Sequence, residues 1–178
     1  DIANDDKRAG DIIRSLRSML RREESEEEMI GINGLLAETI LLFNSEAIIR
    51  NIRIETKFTD LLPLVEANRV QLQQVVINLL MNAAESMMDV SGNRKILVET
   101  CLVDGNRVRV AVRDYGMGID EHLLGSIFEP FFTTKHTGLG MGLSLVRSII
   151  EAKAGHVWAV NNPDGGSTFY FELPGVRE

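Results

Sequence analysis

Two asparagines lie one helical turn apart in the stretch NRVQLQQVVINLLMNAAESMMD, residues 68–89. Apolar residues at helical spacing predict a helix there, and Asn78, Asn82 and Glu85 fall in one arc beside the apolar stripe. Asparagine is a mediocre helix former, so this pair costs stability without an obvious return. Side-chain carbonyl oxygens at this spacing can bind a hydrated Mg²⁺ ion or meet phosphate-bound water. Hydrogen bonds to a neighbouring loop would explain the pair equally well.

A second candidate is the stretch VRDYGMGID, in which Asp114 ends a predicted strand and Gly116 and Gly118 follow it. A carboxylate at a strand end can accept a hydrogen bond from an exocyclic amine, and glycines let a ring approach the backbone. A tight turn would place the same residues there. Near the C-terminus, DGGSTFYFEL puts Thr168 at a strand start after two glycines, which by itself predicts only a hairpin.

The third candidate is FEPFFTTKHTGLGMGLS, residues 128–144, where an apolar cluster is followed by a glycine-spaced run at 138–142. Glycines that lead into a helix N-terminus present unpaired N–H groups, which can bind an anion such as phosphate. The run matches neither the Walker pattern nor a dinucleotide fingerprint. The stretch therefore predicts an apolar anchor, a polar span and an anion-binding turn in succession.

A sheet and three helices must position these residues. Helical periodicity predicts helices over residues 32–50, 68–89 (with Asn68 as N-cap) and 143–152. Alternating apolar and polar residues predict strands over 52–58, 64–66, 95–103, 107–114, 156–162 and 167–173. This order predicts an α+β fold, a two-layer α/β sandwich whose mixed, mostly antiparallel sheet of about five strands carries three helices on one face.

An additional helix is predicted at the N-terminus, within residues 1–28. Its apolar positions recur at helical spacing as a narrow stripe on a charged helix: Ile12, Ile13, Leu16, Met19 and Leu20. An acidic cluster at residues 23–28 follows as a helix end or hinge. A helix of this length is marginal alone in water, so the stripe predicts a partner helix. Packing on the following domain is the alternative.

Composition narrows the class of protein. The chain has 178 residues, 44% of them apolar and 25% charged, as in an ordinary globular domain. Its net charge of −7 argues against nucleic acid as a partner. The single cysteine, Cys101, fits a reducing cytoplasm, and no apolar run suggests a membrane span. Because the chain begins at Asp1, we expect a piece of a longer protein.

Taken together and in this order, the motifs resemble those of the catalytic, ATP-binding domain of sensor histidine kinases. These kinases share the Bergerat fold of the GHKL superfamily with gyrase, Hsp90 and MutL. NLLMNAAES resembles the asparagine box, DYGMG and GLGMGLS the two glycine boxes, FEPFFTTK the phenylalanine box, and GGSTF the closing adenine-contact segment. The likeness covers residues 30–174. RAGDIIRSLR is similar to the second helix of the dimerisation and phosphoacceptor hairpin, which implies a hairpin part at 1–28 and a catalytic domain at 29–178.

For the adenine end of an ATP site, the resemblance implies roles for four residues. Asp114 would accept a hydrogen bond from the adenine amine. Gly116 and Gly118 would shape the pocket, and Thr168 would reach the base directly or through water.

For the phosphate end, the resemblance implies that Asn82 coordinates Mg²⁺ and that Asn78 assists it. The second glycine box would bring backbone N–H groups to the phosphates; its members are Gly138, Leu139, Gly140, Met141 and Gly142. Residues 118–139 would form a lid over ATP, which the phenylalanine box pins at one end through Phe128, Phe131 and Phe132. Lys135 and His136 in that lid are candidate phosphate contacts, and Lys135 a candidate catalytic residue. A solvated loop lysine is the alternative for Lys135.

The same resemblance implies the reaction. Hydrolysing members of the superfamily carry a glutamate base where Asn78 stands, and an amide cannot accept a proton from water as a carboxylate does. We therefore expect transfer of the γ-phosphoryl group to a protein histidine. His122, His136 and His156 lack the acidic neighbour and proline of an acceptor motif, so the acceptor is expected upstream of Asp1.

The implied partners are the protein's own hairpin and sensor region and a response-regulator receiver domain. A homodimeric parent protein in the cytoplasm is expected. Two alternatives remain: a serine-directed kinase of the anti-sigma type, and an ATP-responsive regulatory or dimerisation module without transfer activity.

Overall fold

The computed structural model describes residues 26–92, 94–134 and 140–176. The predicted N-terminal helix lies outside these residues. Within them, the strands are β1 (Glu28–Ile30), β2 (Ile52–Lys57), β3 (Val65–Ala67), β4 (Arg94–Val103), β5 (Arg107–Asp114), β6 (His156–Asn161) and β7 (Ser167–Pro174). The helices are α1 (Ile32–Ile49), α2 (Arg69–Ser86) and α3 (Gly142–Glu151).

Five strands form the main sheet, in the order β2-β4-β5-β7-β6. Strands β2 and β4 are parallel, and the other neighbours are antiparallel. Because β5 and β7 are antiparallel neighbours, the glycine-containing turn that follows Asp114 and the one that precedes Ser167 lie side by side at one end of the sheet. The predicted α+β sandwich with a mostly antiparallel five-stranded sheet is confirmed.

The three helices cover one face of this sheet. Alternate residues of the central strand β5, namely Val108, Val110 and Val112, are buried in the same core as the apolar stripe of α2. That stripe is as predicted: Leu72, Val75, Val76, Leu79, Leu80 and Ala83 are all buried. Asn68 caps the helix, since its Oδ1 accepts a hydrogen bond from the backbone N–H of Gln71 at 3.0 Å.

A small second sheet pairs β1 with β3 and was not predicted. Its first residue, Glu28, pairs with Ala67. The adjacent Glu27 forms an ion pair with Lys153, just beyond the end of α3. The described part of the expected hinge therefore contacts the catalytic unit, and the boundary at 28/29 stays a prediction.

Helix α1 is long and apolar enough, by length and composition alone, to cross a bilayer. No membrane span was predicted from the sequence. A core helix passes the same test, and α1 buries Leu35, Leu36 and Phe43 against the core while Leu41 and Ile49 lie exposed. Its composition is therefore weak evidence for a membrane span.

Candidate nucleotide-binding site

Asn78, the first residue of the predicted asparagine pair, contacts the start of α3. The Nδ2 of Asn78 donates a hydrogen bond of 3.4 Å to the backbone oxygen of Gly142, the first residue of that helix. Asn82, one turn further along α2, is half-buried. The structure thus brings the asparagine box and the end of the second glycine box together, although 64 residues separate Asn78 from Gly142.

The carboxylate of Asp114 is the most deeply buried acidic group of the site, with 1% of the residue exposed. Its Oδ1 accepts a hydrogen bond from the backbone N–H of Gly116 at 2.8 Å. The backbone N–H of Ser167 donates to the same oxygen at 3.3 Å, and the Ser167 hydroxyl donates to Oδ2 at 2.7 Å. Each carboxylate oxygen has two lone pairs, so Oδ2 can still accept from a ligand amine.

Gly116 packs against the end of α2. A Cβ atom built on it would lie 2.8 Å from the carbonyl carbon of Ser86 and closer still to its oxygen. Any larger residue would push the turn away from the helix, so the glycine sets the distance between α2 and the turn that follows Asp114.

Ser167 was missed in the sequence, where Thr168 was predicted to contact the base. Neighbouring residues of a strand point to opposite faces. Ser167 shares the buried face of β7 with Phe169 and Phe171, whereas the Thr168 hydroxyl donates to the Oδ1 of Asn162 at 2.9 Å. The hydroxyl beside Asp114 is therefore that of Ser167, and a base contact by Thr168 stays a prediction. Extending the buried alternation of β7 back by two residues would have identified Ser167.

The phenylalanine box is only partly an anchor. Phe128 is buried and lies edge-to-face on Phe169, with the ring centroids 6.2 Å apart, and Phe132 packs against the core. Phe131 is 73% exposed and has a left-handed backbone with φ of 64°. The prediction that all three rings pin the segment is therefore wrong for Phe131, because the turn in the chain directs its side chain outward.

Of the predicted second glycine box, Gly140, Met141 and Gly142 lie within the described residues. Gly140 lies against the backbone of the phenylalanine box, where a Cβ atom would come within 2.6 Å of the Phe132 carbonyl carbon. Lys135, His136, Gly138 and Leu139 lie outside the described residues.

Comparison with known proteins identifies the family of this chain. Residues 67–177 match the family model described as histidine kinase-, DNA gyrase B-, and HSP90-like ATPase. The chain belongs to this ATPase family. The resemblance noted in the sequence is thereby confirmed, and with it the ATP-binding character of the domain.

Several sensor kinases are similar to this member of the ATPase family. The sensor protein FixL of Bradyrhizobium diazoefficiens is 41% identical over 171 residues, which are 96% of this chain and 34% of FixL. The structure of histidine kinase ThkA in complex with response regulator protein TrrA is 32% identical with a TM-score of 0.79, and the match covers 98% of this chain and 49% of that one. Full-length ShkA in complex with AMPPNP is 28% identical with a TM-score of 0.79, over 94% and 35%. The chain thus spans about a third of the length of FixL.

A metal ion in this ATPase-family site would depend on few protein ligands. Among the described residues, no group of three or more His, Cys, Asp or Glu side chains could hold a metal ion. Mg²⁺ in nucleotide sites keeps several waters and is bound by one or two protein oxygens plus substrate phosphates. The half-buried amide of Asn82 fits that role.

A charged cluster surrounds Tyr115, which follows the buried Asp114. The Nη2 of Arg113 donates to both carboxylate oxygens of Asp164 at 2.6 Å, which lowers the pKa of Asp164 and raises that of Arg113. The Arg113 guanidinium lies 4.5 Å from the ring centroid of Tyr115, and the Lys95 ammonium lies 4.9 Å from it. These two cation–π contacts fix the orientation of the Tyr115 ring.

Proposed function

We propose that this chain is the catalytic, ATP-binding part of a two-component sensor histidine kinase. The observation that carries the proposal is the buried Asp114 carboxylate, which three hydrogen-bond donors from Gly116 and Ser167 orient and which retains acceptor capacity. Membership of the ATPase family and the similarity to named sensor kinases support it.

The adenine would lie beside Asp114, whose carboxylate would accept from the exocyclic amine. Ser167 would orient that carboxylate. Gly116 and Gly118 would leave room for the ring. Thr168, which follows Ser167 on β7, would contact the base directly or through water. Because the partners of Asp114 are already in place, the base end of the site is preorganised.

The phosphates would lie between α2 and the start of α3. Gly138, Gly140 and Gly142 would turn backbone N–H groups toward them, with Leu139 and Met141 between the glycines, and Lys135 and His136 would add positive charge. Asn82 would bind Mg²⁺, which neutralises phosphate charge when bound. Asn78, whose side chain donates a hydrogen bond to the Gly142 backbone oxygen, would assist Asn82 in binding Mg²⁺ and the phosphates.

In the reaction, the bond between the γ-phosphorus and its bridging oxygen breaks, and a bond from an imidazole nitrogen to that phosphorus forms. ADP leaves with the electron pair of the broken bond. The imidazole proton passes to a base beside the acceptor histidine, outside this chain. The residues of this chain position and neutralise charge, which is the main protein contribution to phosphoryl transfer. Asn78 cannot act as a base toward water, so hydrolysis would be negligible.

The partners proposed are the protein's own hairpin in a homodimer and a response regulator, whose aspartate would accept the phosphoryl group in a cytoplasmic relay. The complex of ThkA with TrrA supports the second partner, because the likeness to that kinase covers nearly all of this chain.

Labelled ATP with Mg²⁺ and a separately supplied hairpin that carries an acceptor histidine tests this function. We expect label on the hairpin that is stable to base and labile to acid, and we expect Asn82→Ala to abolish the Mg²⁺-dependent transfer. A hydroxyl ester would instead indicate the serine-directed kinase. ATP binding without any transfer would indicate the regulatory module, and unchanged transfer by Asn82→Ala would refute the metal assignment.

A further inference from the structure

The side chain of Asn161, the last residue of β6, forms two hydrogen bonds with the backbone of Ile119, 42 positions earlier in the chain. Its Oδ1 accepts from the Ile119 N–H at 2.8 Å, and its Nδ2 donates to the Ile119 oxygen at 2.6 Å. One carboxamide thus satisfies both backbone groups of Ile119, as a neighbouring strand would. Ile119 follows the first glycine box directly and begins the segment that leads to the phenylalanine box.

Gly118 makes these two hydrogen bonds possible. Its φ is 78°, a left-handed conformation, and a Cβ atom there would lie 3.0 Å from the Oδ1 of Asn161. A side chain at 118 would be strained and would press on the carboxamide. Gly118 is therefore explained by Asn161, in addition to any room it leaves for a ligand.

Asn161 is linked through Ser167 to the buried carboxylate of Asp114. Asn161 pairs with Ser167 in the register of β6 and β7, and Ser167 donates to Asp114. Asp114 in turn accepts from the N–H of Gly116. The turn at 115–119 is thus held at both ends by one unit: Asp114 fixes its start, and Asn161 fixes its end.

We propose that Asn161 is a positioning residue for nucleotide binding. It does not touch the nucleotide. It fixes the end of the 115–119 turn relative to Asp114, beside which the adenine would lie, and it fixes the start of the segment after Ile119. This inference rests on the proposed ATP site and adds a residue to it that the sequence motifs did not include.

The removal of Asn161 should affect binding more than folding. Ile119 is only half-buried, so water can reach its backbone groups when the carboxamide is gone. The turn would then lose its fixed position, and the nucleotide would have to order it on binding. We expect Asn161→Ala to raise the Kd for AMPPNP with Mg²⁺ about tenfold, which corresponds to about 1.4 kcal/mol, the size of one to two hydrogen bonds.

Asn33→Ala is the matched control. The Asn33 carboxamide also makes two hydrogen bonds, donating to the Thr59 oxygen at 2.9 Å and accepting from the Thr100 hydroxyl at 2.9 Å. Thr100 lies four residues along β4 from Ile96, which pairs with Asp114, so the control is roughly 13 Å from the site. Asn33→Ala should lower thermal stability and leave the Kd within twofold of the wild type.

The experiment is calorimetric titration of the whole chain with AMPPNP and Mg²⁺, together with hydrogen exchange of the nucleotide-free protein. Asn161→Ala should speed exchange in residues 115–123, and Asn33→Ala should not. Asn161→Asp keeps the acceptor for the Ile119 N–H but lacks the donor, so its Kd should lie between those of Asn161→Ala and the wild type. It also carries the test if the alanine variant fails to fold.

The outcomes separate this inference from the function on which it rests. A wild-type chain that does not bind AMPPNP refutes the proposed ATP site. A wild-type chain that binds, with Asn161→Ala within twofold of it or with Asn33→Ala weakened equally, refutes only the role of Asn161. Unchanged hydrogen exchange at 115–123 in Asn161→Ala would refute the claim that Asn161 fixes the 115–119 turn.

Discussion

Ser167→Ala removes one oxygen from the centre of the site. That oxygen donates at 2.7 Å to the Oδ2 of Asp114, and both residues are at most 2% exposed. The carboxylate would keep its two backbone donors to Oδ1, from Gly116 and from Ser167 itself. Oδ2 would lose the donor that orients it, and water would have little access to replace that donor.

The size of the effect follows from this burial. A hydrogen bond to a charged group contributes about 1.5–3 kcal/mol, and a buried group left short of a partner loses the upper part of that range. We expect Ser167→Ala to lower the free energy of unfolding by about 2 kcal/mol, or the Tm by roughly 4–8 °C for a domain of this size. The Kd for ATP should rise as well, because Oδ2 would no longer be held for the adenine amine.

Thr168→Ala is the comparison variant that separates the two hydroxyls. The Thr168 hydroxyl donates to the neutral amide of Asn162, so its loss should cost about 1 kcal/mol of stability and weaken ATP binding less than the loss of the Ser167 hydroxyl does. Ser167→Thr keeps a hydroxyl and should retain affinity. Thermal melts and titration with ATP measure both quantities. Greater loss of affinity in Thr168→Ala than in Ser167→Ala would contradict the role of the Ser167 hydroxyl and assign the base contact to Thr168.

Two further predictions concern the surroundings of the site. Phe128→Ala should cost about 3–4 kcal/mol because the ring is buried, whereas Phe131→Ala should stay within about 0.5 kcal/mol, and equal losses in denaturant unfolding would contradict the described positions. Arg113 lowers the pKa of Asp164, so their pair adds stability above the pKa of an unfolded aspartate and loses it as the pH falls through the lowered folded pKa. Asp164→Asn should remove that part of the acid dependence in thermal melts, and an unaltered pH profile would argue against it.

The sequence predicted the parts of this fold that local pattern determines. The helix expected at 68–89 is α2 at Arg69–Ser86, with the predicted cap and apolar stripe, and the last two strands lie within a residue of their expected bounds. The three-residue strand β1 was missed because it has no periodicity of its own and exists through pairing with β3, which lies far along the chain.

The site was predicted where a motif fixes residue type, and it was missed where register or distant contact decides. Ser167 and Thr168 differ by one position, and one position reverses the face of a strand. Asn161 looks like an ordinary residue before a turn in the sequence, since its partner Ile119 is 42 positions away. Phe131 shares its apolar character with Phe128, and only its left-handed backbone directs it outward.

The two ends of the proposed site belong to different layers of the sandwich. The adenine end is held by the sheet, through Asp114 on β5, Ser167 on β7 and Asn161 on β6. The phosphate end is held between helices, through the contact of Asn78 with Gly142. The chain from residue 119 to residue 141 joins the two.

This division predicts where an altered residue should act. A change at the sheet end alters how well the base is held, so it should change nucleotide affinity while the rate of transfer from bound ATP stays near that of the wild type. A change at the helix end alters the charge around the transferred group, where stabilisation of the transition state is gained, and should lower the transfer rate itself. The two kinds of residue in the proposed ATP site can therefore be told apart by single-turnover kinetics at saturating ATP.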